Sequence, residues 1–238
     1  MQRRTEESRT AVIASLLADP TRSVVLWTLS DGRALPAGEL ARLARVSPAT
    51  MSEHLSKLVR ASLIRVERSG RHRYYRIGAP AVVRVLEALA TVAPIAPRSD
   101  RGITEDASRS AIRLARTCYD HLAGYAGVKI TDALLEAGYM VETGSGYDVT
   151  AAGEQWFAAL GIGVSDARRR ANEKRRQFAR ACLDWSERRH HIAGELGERL
   201  CERLLELAWF ERRHGTRALR VTALGRRSLK RHLGVTLL

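Results

Sequence analysis

Residues 36–61 constrain the fold most strongly, because they hold two short helical patterns separated by a turn. The segment PAGELARLARV predicts one helix. The segment SPATMSEHLSKLVRA predicts a second helix, which Ser47 caps and the following proline begins without losing a hydrogen bond. Met51, Leu55 and Leu58 recur at the spacing of one buried helical face. The segment therefore predicts a helix-turn-helix whose second helix keeps its opposite face exposed.

The exposed face of that second helix carries short and polar side chains, as a helix that enters a DNA major groove requires. The next segment, LIRVERSGRHRYYRI, alternates like two strands and predicts a basic hairpin that turns at Ser69-Gly70. Arginines on such a hairpin can reach phosphates or the minor groove. We therefore expect the DNA contacts to come from Ser47, Ala49, Thr50, Ser52, Glu53, Ser56, Lys57, Arg68, Arg71 and Arg73.

Two more helices are predicted ahead of this motif. The segment AVIASLLAD has helical apolar spacing, and DPTRSVVLWTLSDG begins a helix that Asp19 caps and Pro20 opens. Their apolar faces supply a small core on which the helix-turn-helix and the basic hairpin can pack.

Charge and composition limit the classes of partner. The 238 residues contain 45% apolar side chains, enough for a core, and 40 basic against 26 acidic residues give a net charge of +14, which favours a polyanion such as nucleic acid. The N-terminus MQRRTEESRT lacks the apolar core of a signal peptide, and no apolar run is long enough to cross a membrane. Three cysteines without a Cys-x-x-Cys motif predict reduced thiols. We expect a cytoplasmic protein without a membrane partner.

The segments LADPTRSVVLWTLSDG and GELARLARVSPATMSEHLSKLVRASLIRVERSGRHRYYRI together resemble the winged helix-turn-helix of the ArsR-type bacterial repressors, over about residues 10–92. The resemblance implies a homodimer that binds an imperfect palindrome of double-stranded DNA and represses transcription until an inducer changes the dimer. It also implies that the first helix and the helix of residues 80–92 form the dimer interface. A winged helix used for protein contact is the alternative, and the basic hairpin favours DNA.

The sequence departs from this family at both of its familiar metal sites. Members with a Cys-x-Cys motif carry it on the helix that here reads GELARLA, and other members place Asp and His ligands on the helix that here reads AVVRVLEALATV. The first of these segments contains no cysteine, and the second offers only Glu87. A signal must therefore be detected in the region that follows.

A break at TVAPIAPRSDRG, residues 91–102, separates this region from the rest, since prolines, glycine and serine interrupt two helical patterns. We predict a winged helix-turn-helix domain for DNA binding and dimerisation over residues 1–97, a linker over 98–106, and a sensing or oligomerisation domain over 107–238. The fold class is mainly α with small β-hairpins (α+β).

The C-terminal region contains an internal repeat. The segment ARTCYDHLAGYAG matches ARACLDWSERRHHIAGELG, so that Cys118 pairs with Cys182 and His121 with His191. The similarity spans about residues 112–162 and 176–235. We predict two related halves, each a helix carrying the cysteine, a second helix, a hairpin and a third helix, packed about a pseudo-two-fold axis. The basic run of residues 167–180 predicts a long, solvated helix between them.

The repeated pairs are candidate ligands of a metal ion. Cys118 and His121 would share one face of a helix, and symmetric packing would bring them to Cys182 and His191. Two thiolates and two imidazoles suit a zinc-like or soft metal ion. Asp120 and Asp184 are alternative ligands or hydrogen-bond acceptors for the histidines.

Three other interpretations of these residues stay open. The cysteines could fill equivalent core positions, or they could be redox-reactive thiols activated by Arg116, Arg180 and the histidines. An organic effector between the halves is the third, and it would use aromatic side chains that are otherwise core residues. Those side chains are Trp156, Phe157, Tyr125, Tyr139, Trp185, Trp209 and Phe210.

Three functions of different classes follow. The first is a sequence-specific, dimeric transcriptional repressor whose C-terminal domain senses a thiol change, a metal ion or a small effector. The second is a constitutive DNA-binding protein whose C-terminal domain only builds the oligomer. The third, an enzyme fused to a DNA-binding module with Cys118 and His121 as nucleophile and base, ranks last because no nucleophile turn, phosphate loop or other catalytic motif accompanies the pair. We expect a regulator and not an enzyme.

Overall fold

The structure is a computed structural model that describes residues 2–69, 72–93 and 107–237. Its contacts divide the chain into two compact units, Met1–Leu89 and Ala90–Leu238, which we call the N-terminal and C-terminal units. The predicted linker over residues 98–106 lies outside the described residues, and the predicted domain bounds therefore stay a prediction.

The N-terminal unit combines helices with one antiparallel sheet in the order β1-β3-β2. Leu26, Leu29, Met51, Leu55 and Leu58 are all buried in its core, which accounts for the apolar spacing seen in the sequence. Its elements are α1 (Gln2–Leu17), α2 (Pro20–Leu29), β1 (Leu35–Pro36), α3 (Ala37–Ala44), α4 (Pro48–Arg60), β2 (Ile64–Ser69), β3 (His72–Ile77) and α5 (Pro80–Val92).

Both predicted helix caps are present. The Asp19 carboxylate accepts a hydrogen bond from the Arg22 backbone N–H at 2.9 Å, and the Ser47 hydroxyl accepts one from the Thr50 backbone N–H at 3.1 Å. Each cap precedes a proline at the first helical turn. Arg45 adopts a left-handed conformation with φ 55° and ends α3, so the turn before α4 is tight.

The C-terminal unit contains the same succession of elements twice: a hairpin, a helix, a second hairpin and a second helix. We call residues 115–159 the first stretch and residues 179–233 the second stretch. The elements are α6 (Ala107–Leu114), β4 (Arg116–Cys118), β5 (His121–Ala123), α7 (Tyr125–Glu136), β6 (Met140–Thr143), β7 (Gly146–Val149), α8 (Ala151–Ala159), α9 (Val164–Glu173), β8 (Arg180–Leu183), β9 (His190–Ala193), α10 (Gly194–Glu206), β10 (Phe210–Arg212), β11 (Leu219–Val221) and α11 (Ala223–Leu233).

The two stretches exchange backbone hydrogen bonds. The N–H of Tyr147, in the second hairpin of the first stretch, donates to the carbonyl of Ala179 at 2.9 Å. The N–H of Leu219, in the second hairpin of the second stretch, donates to the carbonyl of Ala115, also at 2.9 Å. Helix α7 packs on β9, and α10 packs on β5. Each stretch is therefore completed by the other, and one apolar core serves both.

The prediction that the repeated cysteines lie on helices is wrong. Cys118 ends strand β4, and Cys182 lies within strand β8. The turn between β4 and β5 contains only two residues, and Tyr119 in it adopts φ 63°, which a continuing helix excludes. Three-residue strands joined by such a turn have too little length to show the alternation of a strand.

The basic run of residues 167–180 does not form one long helix either. Helix α9 ends at Glu173, and Arg175 with φ 50° turns the chain away from the helical path. Ala167 and Ala171 are buried, so α9 packs along one side rather than standing in solvent. The remaining basic residues lead into strand β8.

Among the described residues, no single helix has the length and apolar character needed to cross a membrane. The pair Arg9–Leu17 and Pro20–Leu29 meets that requirement only when the two are taken together, with a bend of 86° between them.

Candidate functional site

Helix α4 presents the side chains that the sequence assigned to DNA bases. Its buried face packs on the core of the N-terminal unit, which leaves the opposite face in solvent. Every predicted contact on this helix and at its cap is exposed. These are Ser47, Ala49, Thr50, Ser52, Glu53, Ser56 and Lys57.

Some of these polar groups already make hydrogen bonds within the helix. The hydroxyls of Ser47 and Thr50 lie 2.9 Å apart at the start of α4, and the Ser56 hydroxyl donates to the carbonyl of Ser52 at 2.8 Å. The cap therefore positions the Thr50 hydroxyl at the N-terminal end of the helix, the end that faces base edges in helix-turn-helix proteins.

The hairpin of β2 and β3 carries the predicted phosphate contacts. Arg68 and Arg73 are both exposed and lie directly opposite each other in the antiparallel register. Arg76 holds the base of the hairpin, because its guanidinium donates to the Glu67 carboxylate at 3.0 Å and to the carbonyl of Gly32 at 3.2 Å. The predicted contact Arg71 lies outside the described residues.

Two hairpins of the C-terminal unit bring the repeated cysteines and histidines together. Cys118 lies opposite His121 in the register of β4 and β5, and Cys182 lies opposite His191 in the register of β8 and β9. Residues directly opposite in an antiparallel pair project on the same face of the sheet. The sulfur or nitrogen atom that each of the four residues offers lies within 4.8 Å of the other three, and we call this set the Cys-His cluster.

The two histidines meet in the interior. The Nε2 atoms of His121 and His191 are 3.1 Å apart, and both side chains are almost fully buried, with exposed fractions of 2% and 1%. Cys118 and Cys182 are half-buried. Cys118 interacts with both imidazoles. The cluster is therefore reachable from solvent on its sulfur side and closed on its imidazole side.

A carboxylate lies behind each histidine. Asp120 accepts a hydrogen bond from His121 Nδ1 at 2.9 Å, and a carboxylate oxygen of Asp184 lies 3.5 Å from His191 Nδ1. Within the described part of the chain, this buried nitrogen of His191 has no hydrogen-bond partner. Both imidazoles therefore direct Nδ1 towards a carboxylate and Nε2 towards the centre of the cluster.

An arginine neutralises each of these carboxylates. The Asp184 carboxylate accepts hydrogen bonds from the Arg116 guanidinium at 2.9 Å and from the Gly124 backbone N–H at 2.7 Å. The Asp120 carboxylate accepts one from the Arg176 guanidinium at 2.9 Å. Arg116 is 1% exposed, so its pairing with Asp184 is a buried ion pair. The carboxylates are thus held in place and charge-balanced without a metal ion.

The pKa changes of Asp184, His121 and His191 agree with this arrangement. Burial opposes the change, but the Arg116 guanidinium keeps the pKa of Asp184 well below its usual range. The hydrogen bonds of His121 to Asp120 and Cys118 outweigh burial and raise the pKa of His121, whereas burial lowers the pKa of His191. The opposite directions suit two facing nitrogens of which one donates a proton and the other accepts it.

Two repeated glycines let helices approach the hairpins closely. A Cβ atom on Gly127 would lie 2.6 Å from the carbonyl oxygen of Leu122, and one on Gly197 would lie 2.7 Å from that of Ile192. The same atoms would be 3.7 Å and 3.4 Å from the Cβ atoms of the histidines in the opposite stretch. The Ala-Gly-x-x-Gly motif therefore serves contacts between a helix and a strand, and it sets the position of the histidines.

The third cysteine and the aromatic residues named in the sequence analysis are not members of the Cys-His cluster. Cys201 is buried in α10, and burial raises its pKa to about 12. Phe157, Trp209 and Phe210 are buried core residues, while Tyr139 stacks on Trp156 with a ring separation of 5.6 Å. Tyr125 is the first residue of helix α7, and Trp185 lies in the turn between β8 and β9. The sequence analysis did not identify Arg176 as the partner of Asp120. Neither its residue type nor its position in a basic run indicates that contact.

The comparisons with known proteins identify the family. A model of the helix-turn-helix domain matches residues 17–67. An uncharacterized HTH-type transcriptional regulator of Bacillus subtilis, YdfF, is 48% identical over 225 residues, which cover 94% of this chain and 97% of that protein. The chain belongs to the ArsR-type HTH transcriptional regulators. This confirms the resemblance seen in the sequence, and with it the expectation of a DNA-binding regulator rather than an enzyme.

Other relatives match a part of the regulator. The HTH-type transcriptional regulator KmtR of Mycobacterium tuberculosis is 42% identical over 62 residues, covering 26% of this regulator and 47% of KmtR. The crystal structure of NolR from Sinorhizobium fredii is 29% identical, with a TM-score of 0.35, and covers 37% of this regulator and 88% of NolR. The antimony-specific repressor AntR is 31% identical, with a TM-score of 0.33, and covers 35% and 76% of the two chains.

Proposed function

We propose that the regulator is a dimeric, sequence-specific repressor whose C-terminal unit senses a signal in the cytoplasm through the Cys-His cluster. The observation that carries the DNA-binding part is the exposed polar face of α4 beside the basic hairpin of β2 and β3. The expected signal is a change at the cysteines and histidines, since the N-terminal helices lack the ligands of the familiar sites.

The two surfaces have different roles in DNA recognition. Thr50 and Glu53, near the N-terminal end of α4, reach base edges in the major groove and select the sequence. Arg68 and Arg73 on the hairpin contact phosphates or the minor groove, and therefore contribute affinity for any sequence. Ser47, Ala49, Ser52, Ser56 and Lys57 border the base-reading residues. Arg71, which lies outside the described residues, is proposed from the sequence as a further phosphate contact.

Dimer formation is supported by an exposed apolar stripe. Val85, Leu89 and Val92 recur at the spacing of one face of α5 and are 45%, 48% and 79% exposed. Val12 of α1 is a further exposed apolar residue at 56%. Aligned apolar side chains on the surface of a helix are typical of a contact with a second helix. We propose that two copies pair through these helices.

The C-terminal unit is proposed to be an internal duplication. In support, each stretch repeats the order of hairpins and helices, and the backbone hydrogen bonds that join the stretches occur in equivalent pairs. The Cys-His cluster lies where the equivalent hairpins meet, so a change there acts on both stretches at once. Such a junction is suited to shift a protein between two geometries.

The test is a binding assay on the DNA upstream of the regulator's own gene, by fluorescence anisotropy at several salt concentrations. We expect tight binding to one discrete segment and at least a hundredfold weaker binding to scrambled duplex. Thr50→Ala should change the preferred sequence in a selection from random duplexes. Equal affinity for specific and scrambled DNA would contradict the proposal.

A further inference from the structure

We propose that Cys118, His121, Cys182 and His191 bind one divalent metal ion of the zinc class in a closed tetrahedral site that cross-links the two stretches. This names the ligand of the cluster to which the proposed function gives a sensing role, and in that respect rests on it. The binding site itself is argued from the geometry of the C-terminal unit alone.

The dimensions of the cluster fit this ion. Zinc in proteins lies about 2.0 Å from nitrogen and 2.3 Å from sulfur, so adjacent ligands of a tetrahedral site are roughly 3.3 to 3.8 Å apart. The four donor atoms already lie within 4.8 Å of one another, and the two Nε2 atoms are 3.1 Å apart. Small movements of the side chains complete the tetrahedron.

The hydrogen bonding of the histidines identifies Nε2 as the ligand atom. A metal-bound histidine commonly donates its other N–H to a carboxylate, which fixes the tautomer and the orientation of the ring. Asp120 and Asp184 provide such carboxylates behind His121 and His191. With an ion at the centre, both imidazoles become neutral, Nδ1 of each donates to its aspartate, and the close contact between two Nε2 atoms is replaced by two bonds to the metal.

The charges of the described residues favour a divalent ion. Asp184 and Asp120 are each paired with an arginine, Arg116 and Arg176 respectively. When the two cysteines are thiolates, the cluster then carries two negative charges in a largely buried position. An ion with two positive charges balances them, whereas a monovalent ion leaves one buried charge uncompensated, which is costly. The same pairing keeps the aspartates out of the metal's coordination.

The chemistry of the ligand atoms narrows the choice of metal ion further. Two thiolates and two imidazoles in a tetrahedron are typical of Zn²⁺, whereas Mg²⁺ and Ca²⁺ require oxygen ligands. Four protein ligands also leave no coordination position for water, so the site does not resemble that of a hydrolytic metalloenzyme. Because each stretch supplies one cysteine and one histidine, the ion joins the two halves of the unit.

The first experiment is a titration of the full chain, purified anaerobically and freed of metal with a chelator, with Co²⁺ as the spectroscopic probe. We expect the visible bands of tetrahedral cobalt and the near-ultraviolet bands of thiolate ligation, saturating at one ion per chain and abolished by added Zn²⁺. Octahedral cobalt spectra, or the absence of saturable binding, would overturn the proposal.

Matched variants assign the ligands. His191→Gln and Cys182→Ala should each weaken binding at least tenfold and alter the cobalt spectrum. His190→Gln, at the exposed neighbouring position, and Cys201→Ala, in α10, should leave both unchanged. If a ligand variant fails to fold, X-ray absorption of the zinc-loaded wild type gives the same answer: two sulfur ligands at about 2.3 Å and two nitrogen ligands at about 2.0 Å.

The outcomes separate this proposal from the proposed function. Operator affinity is measured on the same metal-free and metal-loaded samples. If cobalt binds but the metal-free and metal-loaded samples have the same operator affinity, the metal site is supported and its sensing role is rejected. Operator binding without metal binding, with Cys118 and Cys182 joined in a disulfide after mild oxidation, would reject the metal site and assign the cluster to thiol chemistry.

Discussion

His121 and His191 face each other across the junction of two hairpins, with their Nε2 atoms 3.1 Å apart and an aspartate beyond each ring. The pair comes from equivalent positions of the two stretches, 70 residues apart in the chain. Whatever binds between these rings holds both stretches in one arrangement, which links ligand binding to the stability of the whole unit.

Zinc should stabilise the regulator against heat. A ligand that binds only the folded state at 100 times its dissociation constant contributes about 2.7 kcal/mol. We expect a rise of several degrees in the melting temperature of the C-terminal unit's transition, measured by scanning calorimetry with and without Zn²⁺. The rise should vanish in Cys182→Ala and persist in Cys201→Ala. An equal rise in all three proteins would indicate binding elsewhere.

Gly197→Ala should destabilise the C-terminal unit. The new Cβ atom would lie 2.7 Å from the carbonyl oxygen of Ile192 and would push α10 away from β9. Overpacking of this kind costs roughly 1 to 3 kcal/mol, measured as a shift of the urea midpoint. Gly144→Ala is the matched control, because a Cβ atom there meets nothing within 4 Å. Similar midpoints for the two variants would show that the close approach is unimportant.

Arg116→Met should be strongly destabilising, because it leaves the Asp184 carboxylate buried without its arginine. Removing one partner of a buried ion pair costs about 3 to 5 kcal/mol. The control is Arg180→Met, at the equivalent position of the second stretch, where the arginine is exposed. Chemical denaturation followed by tryptophan fluorescence compares them. Equal stability of both variants would contradict the buried ion pair.

Leu89→Asp should convert the proposed dimer to a monomer. A carboxylate in the apolar stripe of α5 would be buried in the proposed contact without a partner, and burying an unpaired charge is costly. Leu224→Asp introduces the same change at a similarly exposed leucine of α11 and should leave the dimer intact. Sedimentation equilibrium gives the masses. If the Leu89→Asp variant stays dimeric, the dimer interface does not include this stripe.

Arg73→Ala should weaken DNA binding for all sequences alike and lower its dependence on salt. Each lost phosphate contact reduces the slope of log affinity against log salt by about 0.9. Arg227→Ala, at an exposed position of α11, should not change the slope. Anisotropy titrations between low and physiological salt measure both. A changed base preference with an unchanged slope would place Arg73 in base recognition instead.

The N-terminal unit was predictable because its signals are local. Ser47 and its proline, the apolar stripe of Met51, Leu55 and Leu58, and the alternation of the following hairpin each act within a few residues, and the structure contains all of them. The fold implied by the resemblance to the ArsR-type repressors agrees with these local patterns. Arg71, by contrast, lies outside the described residues, so its role stays a prediction.

The sequence predicted which residues form the Cys-His cluster, but it wrongly placed the cysteines on helices. The repeat identified Cys118, His121, Cys182 and His191, and the structure brings all four together. A spacing of three residues fits one helical face, but it equally fits two strands joined by a two-residue turn, and the sequence offered no means to decide. The arginines that pair with the aspartates come from distant parts of the chain, where no local pattern applies.

The exchange of hydrogen bonds between the stretches also orders events during synthesis. The core of the C-terminal unit needs Leu219 to pair with Ala115, so it cannot close until almost the whole chain has left the ribosome. The N-terminal unit contains all of its own core and is complete by about residue 89. Since domains fold as they emerge, the DNA-binding part can be native well before the C-terminal unit exists. A nascent or truncated chain would then bind DNA without the unit to which the proposed function gives the sensing role.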